Sequence, residues 1–415
     1  MDDPAFHGGG PGREDERRTD FTLITERLAA RNVDLGDVRA SRLARLVQAL
    51  AGDYAALAVV AFRRRDATSA YFSSSENEAI VLALLLRLAR RRIPVVAIGH
   101  YPAKTSKWVL WRWLRLHEWL YRLMPLGSVQ AERLTNGLGV PPAKVEVLPL
   151  GIDTRYWDPA RATTPAPARP YVFAAGLQHR DYRTLVRAVD GLGVDLLIGA
   201  ASPWATTQNA LDGEVLPSWV RIESPDVRRL RDCYAGAAVV VTPVVETDFP
   251  AGTTAVLEGM AMRRPVVVTR VEGTGDHVAD RRKVLRKGPA RQTSGVYAAR
   301  YGSLGVQGQT GFFYPPGDAD ELRSILRYVL DHPAETAVIA ARARRVVEEV
   351  HSLEGYVDRI VGAVRDGIAE WYQAGAHEPA REVPPSVSEE PDGRQDETIT
   401  LRDAGDRHVE ESATS

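Results

Sequence analysis

Residues 239–268, VVVTPVVETDFPAGTTAVLEGMAMRRPVVV, constrain this chain most, because they read as a buried strand, a glycine-containing polar loop, a helix and a second buried strand. The β-branched runs at 239–241 and 266–268 suit strands covered on both faces. Thr253 and Thr254, directly after Gly252, mark a helix start. Unpaired N–H groups and the positive end of the peptide dipoles favour an anion there, by about 0.3–1 kcal/mol at exposed sites and up to ~2 kcal/mol when partly buried. Thr254 and Glu258 are four residues apart and share a helix face, so phosphate held at Thr253 and Thr254 would bring an attached ribose hydroxyl to Glu258. The plainer alternative is a capped helix of a doubly wound sheet with Glu258 in water.

With 415 residues the chain exceeds a usual single core, which predicts two domains plus tails. Its 53 basic and 54 acidic side chains leave a formal charge of -1, so there is no global attraction to nucleic acid or anionic lipid. The one cysteine, Cys233, can form no internal disulfide and excludes a multi-cysteine metal site, which fits a reducing, cytoplasmic setting. Residues 1–20 are rich in glycine, proline and charge, and read as a leader without structure rather than a signal peptide.

Between the tails, strand and helix patterns alternate twice. In the first series, residues 21–50 have helical spacing, 54–62 read as a strand, 71–72 as a short strand, 76–92 as a helix and 93–100 as a strand ending at His100. A Trp- and Arg-rich helix is expected over 104–124, then a helix at 128–138 and a strand at 145–153. The first domain is set at 21–158, a linker at 159–170 and a second domain at 171–351. The second series has strands at 171–175, 194–198, 239–241 and 266–269, with helices at 182–190, 227–235 and 254–262. Residues 352–373 form a terminal helix expected to cross back to the first domain, and 374–415 an acidic tail without structure. The fold class is α/β, two Rossmann-like doubly wound domains facing a central cleft.

The order of these pieces resembles the GT-B glycosyltransferases, most closely the retaining enzymes of glycosyltransferase family 4. The resemblance spans about residues 93–372. It rests on the serine-led helix at 128–138 followed by VEVLPLGID at 145–153, FAAGLQHRDYRTL at 173–185, the helix and strand of 228–243, and LEGMAM at 257–262. PVVV at 265–268, GTGDHV at 273–278 and the pieces from Thr310 to Asp318 complete it. It implies a metal-independent, retaining enzyme that moves a hexosyl group from a nucleoside-diphosphate sugar to a glycan, lipid-linked or small-molecule acceptor. The family often carries two glutamates separated by seven residues. Here Glu258 is the second, Pro250 stands eight before it, and Glu246 becomes the candidate for the first, with Phe249 and Gly252 keeping the order.

Gly176, Gly252, Thr253, Thr254 and Glu258 are the candidate donor-binding residues. Arg180, after Gly176, is the candidate cation for the leaving diphosphate, because its rigid fork suits phosphate. His100 stands at a strand end, where open α/β sheets place ligand groups, and matches the family's histidine there. His100, Arg180 and Glu246 are the catalytic candidates. Lys104, Lys107 and Trp108 belong to a stretch whose Trp and basic residues suit a lipid headgroup surface, an acceptor side with peripheral contact at the inner membrane face. Asp318 and Asp320 have metal-site spacing but read as a helix cap, and no metal or other cofactor is expected. The basic run at 281–291 is a candidate for drawing in an acidic acceptor. Two rivals are a catalytically silent GT-B scaffold, motivated by the altered glutamate spacing, and a sugar-nucleotide epimerase of the same fold.

Overall fold

The computed structural model describes residues 16–164, 167–199, 211, 215–247, 249–280 and 308–373, without the side chains of 105 and 108. The described residues form one compact unit. The basic run at 281–291 and the expected acidic tail lie outside the described residues.

Two parallel sheets organise the unit. The first lobe is built on β1 (Tyr71–Ser73), β2 (Val95–Gly99) and β3 (Arg122–Pro125), paired in that order. Ahead of it run α1 (Asp20–Leu28), α2 (Leu35–Ala40), α3 (Arg42–Ala51) and α4 (Asp53–Arg63), and α5 (Glu76–Leu88) joins β1 to β2. The apolar run at 54–62, expected to be a strand, is thus most of α4. It carries four alanines, the best helix formers, and buries Ala55, Ala56, Ala58, Val60 and Ala61. The long Trp-rich helix expected over 104–124 is broken as well. Only α6 (Trp108–Arg112) is α-helical, Arg115 has a left-handed backbone, and β3 already begins at Arg122. The strand expected at 145–153 is reduced to two isolated bridges, Val145 to Leu123 and Ile152 to Ser352.

The second sheet contains β4 (Tyr171–Ala175), β5 (Asp195–Gly199), β6 (Val220–Glu223), β7 (Val239–Thr242), β8 (Val266–Thr269) and β9 (Phe312–Tyr314). Its order is β6-β5-β4-β7-β8-β9, the doubly wound order in which the chain reverses between the first and fourth strands. Between the strands lie α7 (Ser128–Glu132), α8 (Tyr182–Val189), α9 (Val227–Gly236) and α10 (Thr253–Ala261). On one face of the second sheet, Val256, Leu257 and Met260 of α10 pack with Val346 and Val347 of a later helix, Pro333–Val350. On the other, Leu185 of α8 meets Leu322 and Leu326 of the helix Ala319–Asp331. Burial on both faces is why β7 and β8 read as unbroken valine runs.

The last helix, Leu353–Gln373, packs Tyr356, Val357, Ile360 and Val361 against Val96, Ile98 and Met124 of the first lobe. The crossover is fastened where Ile152 N–H donates to His351 O (2.9 Å) and Leu353 N–H to Ile152 O (2.9 Å). Arg18 reaches both Asp153 and Glu354, at 2.5 and 2.6 Å. Against its burial, Asp153 is held below the usual carboxylate range by that guanidinium. Residues 16–20, expected to belong to a structureless leader, are therefore tied to this junction.

Candidate functional site

The reversal between β4 and β7 opens a crevice at the carboxyl ends of these strands, the usual ligand position in such sheets. The loops leaving them are joined: Asp181 N–H donates to Pro243 O (3.0 Å) and Val245 N–H to His179 O (3.0 Å). Arg180 lies between the loops. Its Nε donates to Ala175 O (3.0 Å) and its Nη1 to Gln178 O (2.9 Å). A Cβ on Gly176 would stand 2.6 Å from Nη2, so this glycine makes room for the guanidinium, while one on Gly252 would stand 2.6 Å from Thr242 Cγ2 and 3.4 Å from both terminal nitrogens of Arg180. Both glycines have positive φ, +102° and +79°, which an ordinary side chain would strain. Among the described residues no carboxylate pairs with Arg180, and burial lowers its pKa. A half-buried cation partnered only by carbonyls is costly alone and favours an anionic ligand.

Gly252 is also the N-cap of α10, where no side chain caps the helix. The two threonines then divide. Thr254 is exposed, whereas the Thr253 hydroxyl donates to Pro250 O (2.9 Å) and lies 3.1 Å from His277 Nε2. Thr253 accordingly offers a ligand its backbone N–H rather than its hydroxyl. Glu258 is buried, at 5% exposure, and desolvation pushes its carboxyl up to about 7 against the opposing influence of Arg17 and the Tyr234 hydroxyl. The water-exposed Glu258 of the plainer reading is thereby excluded. Tyr234 is raised by burial and by Glu258 and lowered by Arg180, so it stands in the field of both. Sequence reasoning had assigned Tyr234 no role.

The other candidates stand on neighbouring elements. Glu246 is exposed and lines an open hollow with Arg187, Pro315, Gly317, Asp318 and Arg323. Asp318 caps its helix by accepting from Glu321 N–H (2.9 Å). His100 is exposed at the end of β2, its backbone N–H donating to Glu76 (3.0 Å). The same carboxylate accepts from Tyr101 N–H (3.2 Å) and pairs with Lys107. Although burial opposes it, these partners hold Glu76 below the usual range. Lys107 thus fixes the His100 turn. Lys104 is exposed, and the side chain of Trp108 lies outside the described residues. Trp111 is fully buried with its indole N–H on Pro102 O (2.8 Å), and Trp119 lies under Arg92, whereas Trp113 of the same stretch is exposed.

Three contacts close the lobes over the crevice. Tyr101 meets Phe249 at 5.3 Å between centroids, and Phe249 meets His179 at 5.0 Å. Asp276 accepts from Ser128 N–H (2.7 Å) and Ser128 Oγ (2.6 Å), and Arg133 pairs with Glu272 (2.9 Å). The GTGDHV and serine-led motifs contain Asp276 and Ser128, so the signal was present in the sequence while the pairing was not.

His277 and His351 lie behind α10 with ring centroids 5.6 Å apart. Burial lowers His277 to about 4 and His351 to about 3. An unfolded histidine takes up its proton near ~6.5. The unfolded chain therefore binds more protons below that pH, and the stability these groups contribute is lost as pH falls from about 6.5 towards 4. Denaturant melts at pH 7 and pH 5 are expected to show His351→Asn losing less stability on acidification than wild type, by about 1–2 kcal/mol. Equal losses would contradict neutral burial of this ring.

Residues 183–332 match the Glycosyl transferases group 1 family. The chain is 23% identical over 316 residues to the MMP alpha-(1->4)-mannosyltransferase of Mycolicibacterium hassiacum, covering 69% of this chain and 68% of that one. Among solved structures, a glycosyltransferase from Rickettsia africae superposes with a TM-score of 0.54 at 13% identity, covering 75% of this chain and 80% of that one. Anabaena Alr3699/HepE in complex with UDP superposes with a TM-score of 0.55 at 14% identity, covering 75% and 82%. The two parallel sheets, the matched domain and these relatives together identify the chain as a glycosyltransferase of the GT-B fold.

Proposed function

We propose that this chain transfers a hexosyl group, with retention, from a nucleoside-diphosphate sugar to a hydroxyl of a glycan, lipid-linked or small-molecule acceptor. The observation that carries the reading is Arg180, half-buried between Gly176 and Gly252 with carbonyl partners, beside the uncapped start of α10. The diphosphate sits between that guanidinium and the N–H groups of Thr253 and Thr254, and the ribose hydroxyls meet Glu258. In the reaction the bond from the anomeric carbon to the phosphate oxygen breaks and one to the acceptor oxygen forms. The acceptor proton passes to the departing phosphate on the same face, so no separate base is assigned. Arg180 and the helix start supply charge stabilisation without a metal, each well-aimed donor contributing about 3–4 kcal/mol in a dry site. His100, at the first lobe's side of the crevice, is assigned to the donor sugar.

A thermal-shift series with UDP, GDP and ADP tests the donor side, because a ligand that binds only the folded state raises the melting temperature with the logarithm of its concentration. One diphosphate is expected to shift the midpoint by several degrees more than its nucleoside, with EDTA without effect; no shift with any of them overturns the donor site. The exposed position of Glu246 favours the second reading, a silent binder. Release of nucleotide from a matched donor and acceptor excludes it, and binding without release would establish it.

A further inference from the structure

The helix α3 is inverted with respect to its protein. Surface helices ordinarily turn their apolar stripe to the core. In α3, Leu43, Leu46 and Leu50 recur at helical spacing yet are 48, 57 and 79% exposed, whereas the residue it buries is Ala44. The small core beneath consists of Val38, Ala44, Ala56 and Val60, so the smaller side chains face inward and the leucines outward. The helix does not depend on a partner for its ends: Ser41 Oγ accepts from Ala44 N–H (3.3 Å). Tyr54, 50% exposed, follows at the start of α4. Arg42 and Arg45 are exposed on the same helix, and among the described residues neither has an ion pair.

We propose that α3 docks this enzyme on a membrane surface bearing anionic lipid headgroups. The leucines enter the boundary between headgroups and acyl chains, while Arg42 and Arg45 meet lipid phosphates, the pattern of an interfacial helix with arginine beside an apolar face. Charge complementarity decides for this occupant, because a second copy of α3 would set arginine against arginine. This surface is separate from the tryptophan-rich segment, and it stands independently of how the donor is bound.

The test is co-sedimentation of the full chain with vesicles of phosphatidylcholine alone and of phosphatidylcholine with about one third phosphatidylglycerol. Binding to the anionic vesicles is expected, weakened by salt. It should fall about tenfold or more in a Leu43→Ser, Leu46→Ser, Leu50→Ser variant, and clearly in Arg42→Gln, Arg45→Gln. These positions are exposed, so melting temperature and nucleotide binding in solution should be retained, which separates this outcome from failure of the donor site. Absence of binding to anionic vesicles, or equal binding by the leucine variant, overturns the proposal. So does a dimer that the leucine changes dissociate in a protein that ignores vesicles, since α3 would then face another copy.

Discussion

Arg180→Ala is expected to slow sugar transfer by about 10²–10³-fold, the loss typical of one preorganised donor removed from a developing oxyanion. The folded state should survive, because the lost partners are two carbonyls at the mouth of the crevice, Ala175 O and Gln178 O. Their desolvation costs about 1–3 kcal/mol at most, against which stands relief of a half-buried charge without a counter-ion. Arg180→Lys keeps the charge but loses the fork, and should fall between the two. Single-turnover measurements with saturating donor separate the step from binding. Transfer within a factor of about three of wild type, in an Ala variant that still melts cooperatively, would assign the leaving group to another residue.

Glu258→Gln should produce two effects of opposite sign. Nucleotide affinity falls by about 10–100-fold, because a hydrogen bond to a charged acceptor is worth roughly 1.5–3 kcal/mol. Stability at alkaline pH rises instead. The folded carboxyl titrates near 7 rather than at 4.5, so the folded chain holds the proton longer than the unfolded one. The contribution is fully present below pH 4.5 and is lost as pH rises through 7, which in wild type amounts to as much as about 3 kcal/mol. The glutamine variant lacks this titration and should gain up to that amount over wild type between pH 5 and pH 8. Calorimetric nucleotide titrations and denaturant melts at the two pH values check both arms. Unchanged affinity would remove the ribose assignment, while parallel melts would place Glu258 in water.

The second lobe was far more legible in the sequence than the first, for physical reasons. Its strands are covered on both faces and appear as compact valine runs between glycine loops and capped helices, so β4, β5, β7 and β8 and their helices stand where the pattern put them. The exception, β6, has exposed Arg221 and Ile222 and lacked an apolar run to announce it. In the first lobe, residues 54–62 are apolar throughout, which gives no period, and alanine content decided for helix. Over 104–124 the tryptophans suggested one amphipathic stripe, but Trp111 belongs to the core and the left-handed turn at Arg115 starts a new direction.

The site was legible in its local parts and hidden in its pairings. Gly176, Arg180, Gly252 and Glu258 come from two loops and a helix that the doubly wound order brings together. Spacing does not encode the surroundings of Glu246: the chain leaving β7 first bonds to the loop after β4, and the Glu246 side chain lines the open hollow with Arg187 and Asp318. Asp276 on Ser128 and Tyr101 on Phe249 join residues far apart in the chain, and no local periodicity encodes such contacts.

The central claim is that a diphosphate settles between Arg180 and the amino end of α10. A crystal structure of the complex with whichever nucleoside diphosphate stabilises the protein most tests it directly. Phosphate oxygens about 3 Å from the Arg180 guanidinium and from the Thr253 or Thr254 N–H, with the ribose on Glu258, are the expected result. Phosphates bound elsewhere, with Arg180 still on its two carbonyls and Glu258 untouched, would contradict the account.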